Sequence, residues 1–157
     1  LYTHLQRKAQ NLEYLSSFIE ALAKVESTAS LSVLESIYTW ANELIKIQIL
    51  KIMQKSKVVN FDFLLSRLNM SSAQLRKHIL MVLMRDAFSL EKALDKLLNI
   101  SDFWGKRNQW LEENMEIVYQ LKLTQSASRM HNLSKRRFFW QRRIRVLALK
   151  ILQEWHE

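Results

Sequence analysis

The sequence predicts an all-α fold, a compact bundle of about six helices joined by short connections. Three observations predict it. The 157 residues include no proline and a single glycine, Gly105, so helices can run long and tight hairpins that need positive φ are nearly excluded. Apolar residues recur at three- and four-residue steps over most of the chain, the spacing of one helix face. Ser, Asn and Asp stand just ahead of these apolar runs, where a helix start needs a side-chain acceptor. One domain over residues 1 to 157 is the expectation, because a chain of about 150 residues buries roughly 68–70 % of its unfolded surface. Since the first residue is Leu1 and not Met, the chain reads as a fragment of a larger protein.

Residues 3 to 25 place Leu5, Ala9, Leu12, Leu15, Ile19 and Leu22 on one stripe, an amphipathic helix. Ser32 with Glu35 has capping-box spacing and opens a second helix to about residue 55, apolar around more than half its circumference, with Leu44 central to it. Asn60 caps a short helix from 61 to 68, and Ser71 with Gln74 repeats the capping spacing before Leu75, Ile79, Val82 and Leu83. Ser89 caps the run Leu90, Ala93, Leu94, Leu97 and Leu98. Ser101 or Asp102 caps the next helix, which carries Trp104, Leu111, Val118 and Leu121. Residues 125 to 133 are polar and read as a mobile linker. A final helix over 134 to 156 gathers Trp140, Ile144, Leu147, Ala148, Ile151 and Trp155 into one stripe, with Phe138, Phe139, Val146 and Leu149 on the opposite side.

Charge is concentrated in that last region. From Lys122 to Lys150 there are nine Lys and Arg and no Asp or Glu, which matches the formal net charge of +9 for the whole chain. The cluster at the start of the predicted final helix opposes the helix dipole, so helix stability does not account for it. Lys135, Arg136, Arg137, Arg142, Arg143, Arg145 and Lys150, interleaved with Phe138, Phe139, Val146 and Leu149, are therefore the candidate partner-binding residues. An acidic or amphipathic protein helix is the expected partner, its apolar side on the aromatic and aliphatic residues and its carboxylates on the cations.

A second constellation points to nucleic acid. Phe61 to Leu83 resembles the helix-turn-helix of bacterial regulators, with Leu68 closing a first helix, Asn69, Met70 and Ser71 forming the turn, and Leu75 and Ile79 anchoring a second helix. The resemblance implies that Ser72, Gln74, Arg76 and Lys77 contact bases and phosphates. It covers about 20 residues, and Leu65 stands where that motif usually has a small residue.

Other classes are disfavoured. With no cysteine there is no thiolate nucleophile, disulfide or thiolate metal site. His4, His78, His131 and His156 form no metal-ligand spacing, and one glycine leaves no phosphate-cradling loop, so no enzyme, cofactor or metal is expected. Glu112, Glu113 and Glu116 read as a solvated face or as partners for Arg or Lys of a neighbouring helix. The longest apolar run, Ile79 to Met84, is too short to span a bilayer, and no signal peptide is legible. The expected setting is intracellular, with Lys135, Arg136 and Arg137 suited to a nuclear import signal.

Overall fold

The computed structural model describes residues 12–25, 27–99 and 107–156. The expected start of the first helix with Leu5 and Ala9, the caps at Ser101 or Asp102, Trp104 and Gly105 lie outside these residues. Among the described residues there are nine α-helices, three 3-10 turns and no strand. The all-α class holds, with more helices than expected. The chain divides into two compact units, with the boundary between Ser66 and Arg67. That boundary falls inside a helix, at a place where the sequence carries no linker signal.

The first unit holds α1 (Leu12–Val25), α2 (Thr28–Trp40), α3 (Glu43–Lys55) and most of α4 (Phe61–Arg67). The first three pack pairwise on one another. Leu15 and Ile19 of α1 are buried as their spacing predicts, and Gln48 Nε2 of α3 donates to Ser16 Oγ of α1 at 2.6 Å. The start of α2 lies earlier than the sequence suggests. Ser27 and Ser30 form the capping box, each hydroxyl accepting the other's backbone N–H, whereas Ser32 Oγ donates back to the Thr28 carbonyl at 3.1 Å and caps nothing.

The long second helix of the sequence reading is two helices. Ala41 is extended, at φ −67° and ψ 159°, and Asn42 Oδ1 accepts the Ile45 N–H at 3.0 Å as the N-cap of α3. Because the break resets the rotation of everything after it, Leu44 is 71 % exposed and Ile45, Ile49 and Met53 are the buried line of α3. Leu44 is thus a surface residue and not a core one. Asn60 does cap α4, its Oδ1 accepting the Phe63 N–H at 3.1 Å, and Tyr38 meets Phe63 edge to face at 5.7 Å.

The second unit contains α5 (Ala73–Leu83), α6 (Ala87–Leu98), α7 (Asn108–Gln120), α8 (Ala127–Ser134) and α9 (Arg142–His156). Helices α5, α6 and α7 contact one another, and α9 packs on α7 and α8. Ile79, Leu83, Leu94, Leu97, Met115, Val118, Met130 and Ile144 are buried. Their caps differ from the expected ones by one to three residues. Ser72, not Ser71, accepts the Leu75 N–H of α5, and Asp86, not Ser89, caps α6 by accepting the Ser89 N–H at 2.8 Å. The Ser89 side-chain hydrogen bond, and after it that backbone bond, holds the Asp86 carboxyl below its ordinary range.

Residues 125 to 133 are not a loop. The chain leaves α7 through Lys122, which adopts φ 52°, while the Leu123 N–H bonds the Val118 carbonyl and the Lys122 N–H bonds Tyr119, a Schellman ending. A 3-10 turn, Thr124–Ser126, then leads straight into α8, whose Met130 and Leu133 are buried. Arg129 fastens α8 to α6 by ion pairs with Glu91 at 2.6 Å and Asp95 at 2.8 Å. Burial opposes its charge, the two carboxylates outweigh that effect, and its pKa is raised. One of the nine clustered cations is therefore a structural tie.

Candidate docking face

The final helix begins later than the sequence predicts, and the reason is local. Ser134 Oγ donates to the His131 carbonyl at 2.7 Å, which finishes α8 and leaves no cap for a helix starting there. Lys135 ends α8, Phe138 is extended, and Phe139–Gln141 form a 3-10 turn that runs into α9 at Arg142. Lys135, Arg136, Arg137 and Phe138 thus lie on a connection before the helix. Arg143 and Lys150 are on α9, whereas Arg136, seven residues before Arg143, is not.

That connection is held as a corner. Phe138 stacks on Trp140 at 4.8 Å with 9° between the rings, and Phe139 meets the same indole edge to face at 4.8 Å. The Trp140 carbonyl accepts from Asn108 Nδ2 of α7 at 2.8 Å, and Gln141 is buried with its N–H on the Phe138 carbonyl. From one turn into α9, Arg145 Nη1 reaches back to the carbonyls of Arg136 at 3.0 Å and Arg137 at 3.3 Å. Arg145, expected to meet a partner's carboxylates, is used to set the corner. Asn108 escaped the sequence reading because it stands in no motif; it satisfies a backbone carbonyl that only the fold brings near.

Beyond the corner α9 has two faces. Ile144, Ala148 and Ile151 are buried, Leu147 and Trp155 are half-buried, and Arg142, Arg143, Val146, Leu149 and Lys150 are exposed. Val146 is 59 % exposed, Leu149 56 %, and Phe139 on the corner 81 %. Lys150 makes a loose i,i+4 pair with Glu154 at 3.9 Å, an exposed interaction of little energetic weight. Glu154 also accepts the Tyr119 hydroxyl of α7, a bond that raises the phenol pKa and seats the C-terminal half of α9.

Of the four residues that the helix-turn-helix resemblance singles out, Arg76 and Lys77 are engaged within the fold. Arg76 is 3 % exposed: Nη2 pairs with Glu113 at 2.6 Å, Nη1 donates to the Ser71 carbonyl at 2.8 Å, and the guanidinium lies 5.1 Å from the Trp110 ring centre. Lys77 Nζ donates to Gln120 Oε1 at 2.8 Å, and Ser72 is the N-cap. Gln74 is exposed. Both cations of this set are turned onto α7, so Glu113 has the neighbouring-helix partner that the acidic trio called for.

The chain matches no protein-family model, no curated protein and no solved structure. Among the described residues no group of three or more His, Asp or Glu side chains is placed to hold a metal ion. No described helix is long and apolar enough to cross a membrane.

Proposed function

We propose that this chain is a protein-docking module that receives an acidic or amphipathic segment of another protein on the outer face of α9 and the aromatic corner before it. The observation that carries this reading is the exposure of Val146 and Leu149, beside Arg142 and Arg143, on a helix that packs through its other face, with Phe139 exposed on the turn just before it. Grouped exposed apolar side chains rimmed by charge are the usual make-up of an interaction surface, and aromatic residues and Arg are enriched there. The cations would steer an acidic partner and reject a basic one, while the apolar residues supply the burial. Nucleic acid is the weaker candidate, because phosphate contacts give Val146 and Leu149 nothing to bury against and Arg76 is committed to Glu113.

The test is site-specific photo-cross-linking in the cell of origin, with benzoylphenylalanine placed in turn at positions 74, 146 and 149. Protein adducts at 146 and 149, absent at 74, are the expected result. Nucleic-acid adducts at 74 and 146, or no adduct at 146 and 149, would overturn the reading.

A further inference from the structure

The exposed face of α9 is spaced for a second helix. Arg142, Val146, Leu149 and Gln153 follow at steps of four, three and four residues, and all four are exposed. At about 100° per residue they fall within roughly 60° of one another, on the side away from Ile144, Ala148 and Ile151. Phe139 precedes Arg142 by three residues and extends the same alternation into the corner. Alternating three- and four-residue steps along an exposed stripe make the seam of a helix pair. From Arg142 to Gln153 that seam is about 17 Å long, at about 1.5 Å per residue.

Charge narrows the occupant. Arg143 and Lys150, seven residues apart and both exposed, line one flank of the seam. On the other flank Arg145 is turned back onto its carbonyls and Leu152 is half-buried. A second copy of this chain lying antiparallel would set each Arg143 against the copy's Lys150, and a parallel copy would bring Lys150 towards the copy's Arg145. Both arrangements join like charges along the seam. An extended peptide is no better served, since no strand among the described residues offers an edge to pair with.

Resting on the docking reading above, we infer that the occupant is a helix of about three turns from a different protein, lying antiparallel to α9. Aliphatic residues of that helix face Val146 and Leu149, and two carboxylates seven residues apart face Arg143 and Lys150. The direction follows from the dipole: Arg142 and Arg143 stand at the N-terminal end of α9, and an antiparallel helix brings its own negative C-terminal end to them.

The probes are two synthetic amphipathic helices, identical except for Glu or Lys at the two flank positions, each also made with a nitroxide at its C-terminus. The full chain is titrated as wild type, as R143E/K150E and as V146E, with circular dichroism confirming that each variant is folded. The Glu helix should bind the wild type and lose about ten-fold or more on R143E/K150E, while the Lys helix recovers that affinity on the same variant. The nitroxide should broaden amide resonances near Phe139 and Arg142 and spare Gln153. Equal binding of both helices to the wild type, broadening centred on Gln153, or a wild-type dimer that V146E dissociates would each overturn the inference. If position 146 cross-links to a protein segment that is not an acidic helix, the docking reading stands and this inference falls. If it cross-links to no protein, both fall.

Discussion

Replacing Arg76 with Ala should cost stability and leave association through α9 unchanged. The substitution removes a charge-assisted bond to Glu113 at 2.6 Å, a bond to the Ser71 carbonyl at 2.8 Å, and the stacking on Trp110 at 5.1 Å. Bonds of a charged group contribute about 1.5–3 kcal/mol and an exposed-to-buried cation–π contact about 0.5–2 kcal/mol, but these do not add. Glu113 is 37 % exposed and regains water when its partner is gone, so the loss falls short of the roughly 3–5 kcal/mol seen when a fully buried pair is broken. About 2–4 kcal/mol is the expectation, or several degrees in Tm. The assay is urea unfolding followed by tryptophan fluorescence, which reports mainly on the second unit because four of the five tryptophans lie beyond residue 66. E113Q should cost less than R76A, and the R76M/E113Q cycle should show favourable coupling between the native pair. If R76A changes stability by less than about 0.5 kcal/mol and instead weakens binding to duplex DNA, Arg76 is a phosphate contact and its assignment as a tie between α5 and α7 is refuted.

Three further outcomes are expected. Leu64→Ala, at a fully buried site, should destabilise by about 2–5 kcal/mol, whereas Leu44→Ala should stay within roughly 0.5 kcal/mol; comparable losses in chemical unfolding would contradict the phase of α3. Lys122→Gly should stabilise by roughly 0.5 kcal/mol, because φ 52° is strained for a residue with a Cβ and free for glycine, and a lower midpoint in thermal unfolding would count against the Schellman ending. The folded pKa of Asp86 is depressed, so its stabilising effect is present above the ordinary carboxylate value of 3.8 and is lost as pH falls through the lower folded value. The stability gap between wild type and D86A should therefore narrow only below that ordinary value, and a gap unchanged in acid would show that the carboxylate is not the cap.

Much of the fold was legible because it rests on period. The stripe Leu90, Ala93, Leu94, Leu97 and Leu98 of α6 is buried throughout, and Leu15 and Ile19 of α1 and Ile144, Ala148 and Ile151 of α9 are buried within theirs, since a helix with one apolar face has one way to hide it. What stayed hidden was the choice among neighbouring hydroxyls. Ser27 or Ser32, Ser71 or Ser72, Ser89 or Asp86 each satisfy the same local grammar, and only the finished backbone decides which accepts an N–H and which bonds backward to a carbonyl. The break at Ala41 and Asn42 was masked because apolar residues recur at helical spacing on both sides of it. The polar stretch 125 to 133 looked like a loop because its two buried anchors, Met130 and Leu133, are too few to make a period. At the candidate site the residue types were readable but their uses were not: sequence shows a row of cations, while Arg129 and Arg145 differ from Arg142 and Arg143 only in what the fold sets within their reach.

The anchorage of the aromatic corner has a consequence for how it tolerates change. Arg145 grips main-chain oxygens, which every residue type carries, so the grip does not depend on the side chains at positions 136 and 137. Position 145 is more constrained, since both bonds come from the single Nη1, and the residue there must bring a nitrogen with two N–H groups to that point. The grip also contains no acid to protonate. Phe139 should therefore stay presented in mildly acidic surroundings that would weaken a carboxylate clasp, leaving any pH sensitivity of binding to the partner's own carboxylates.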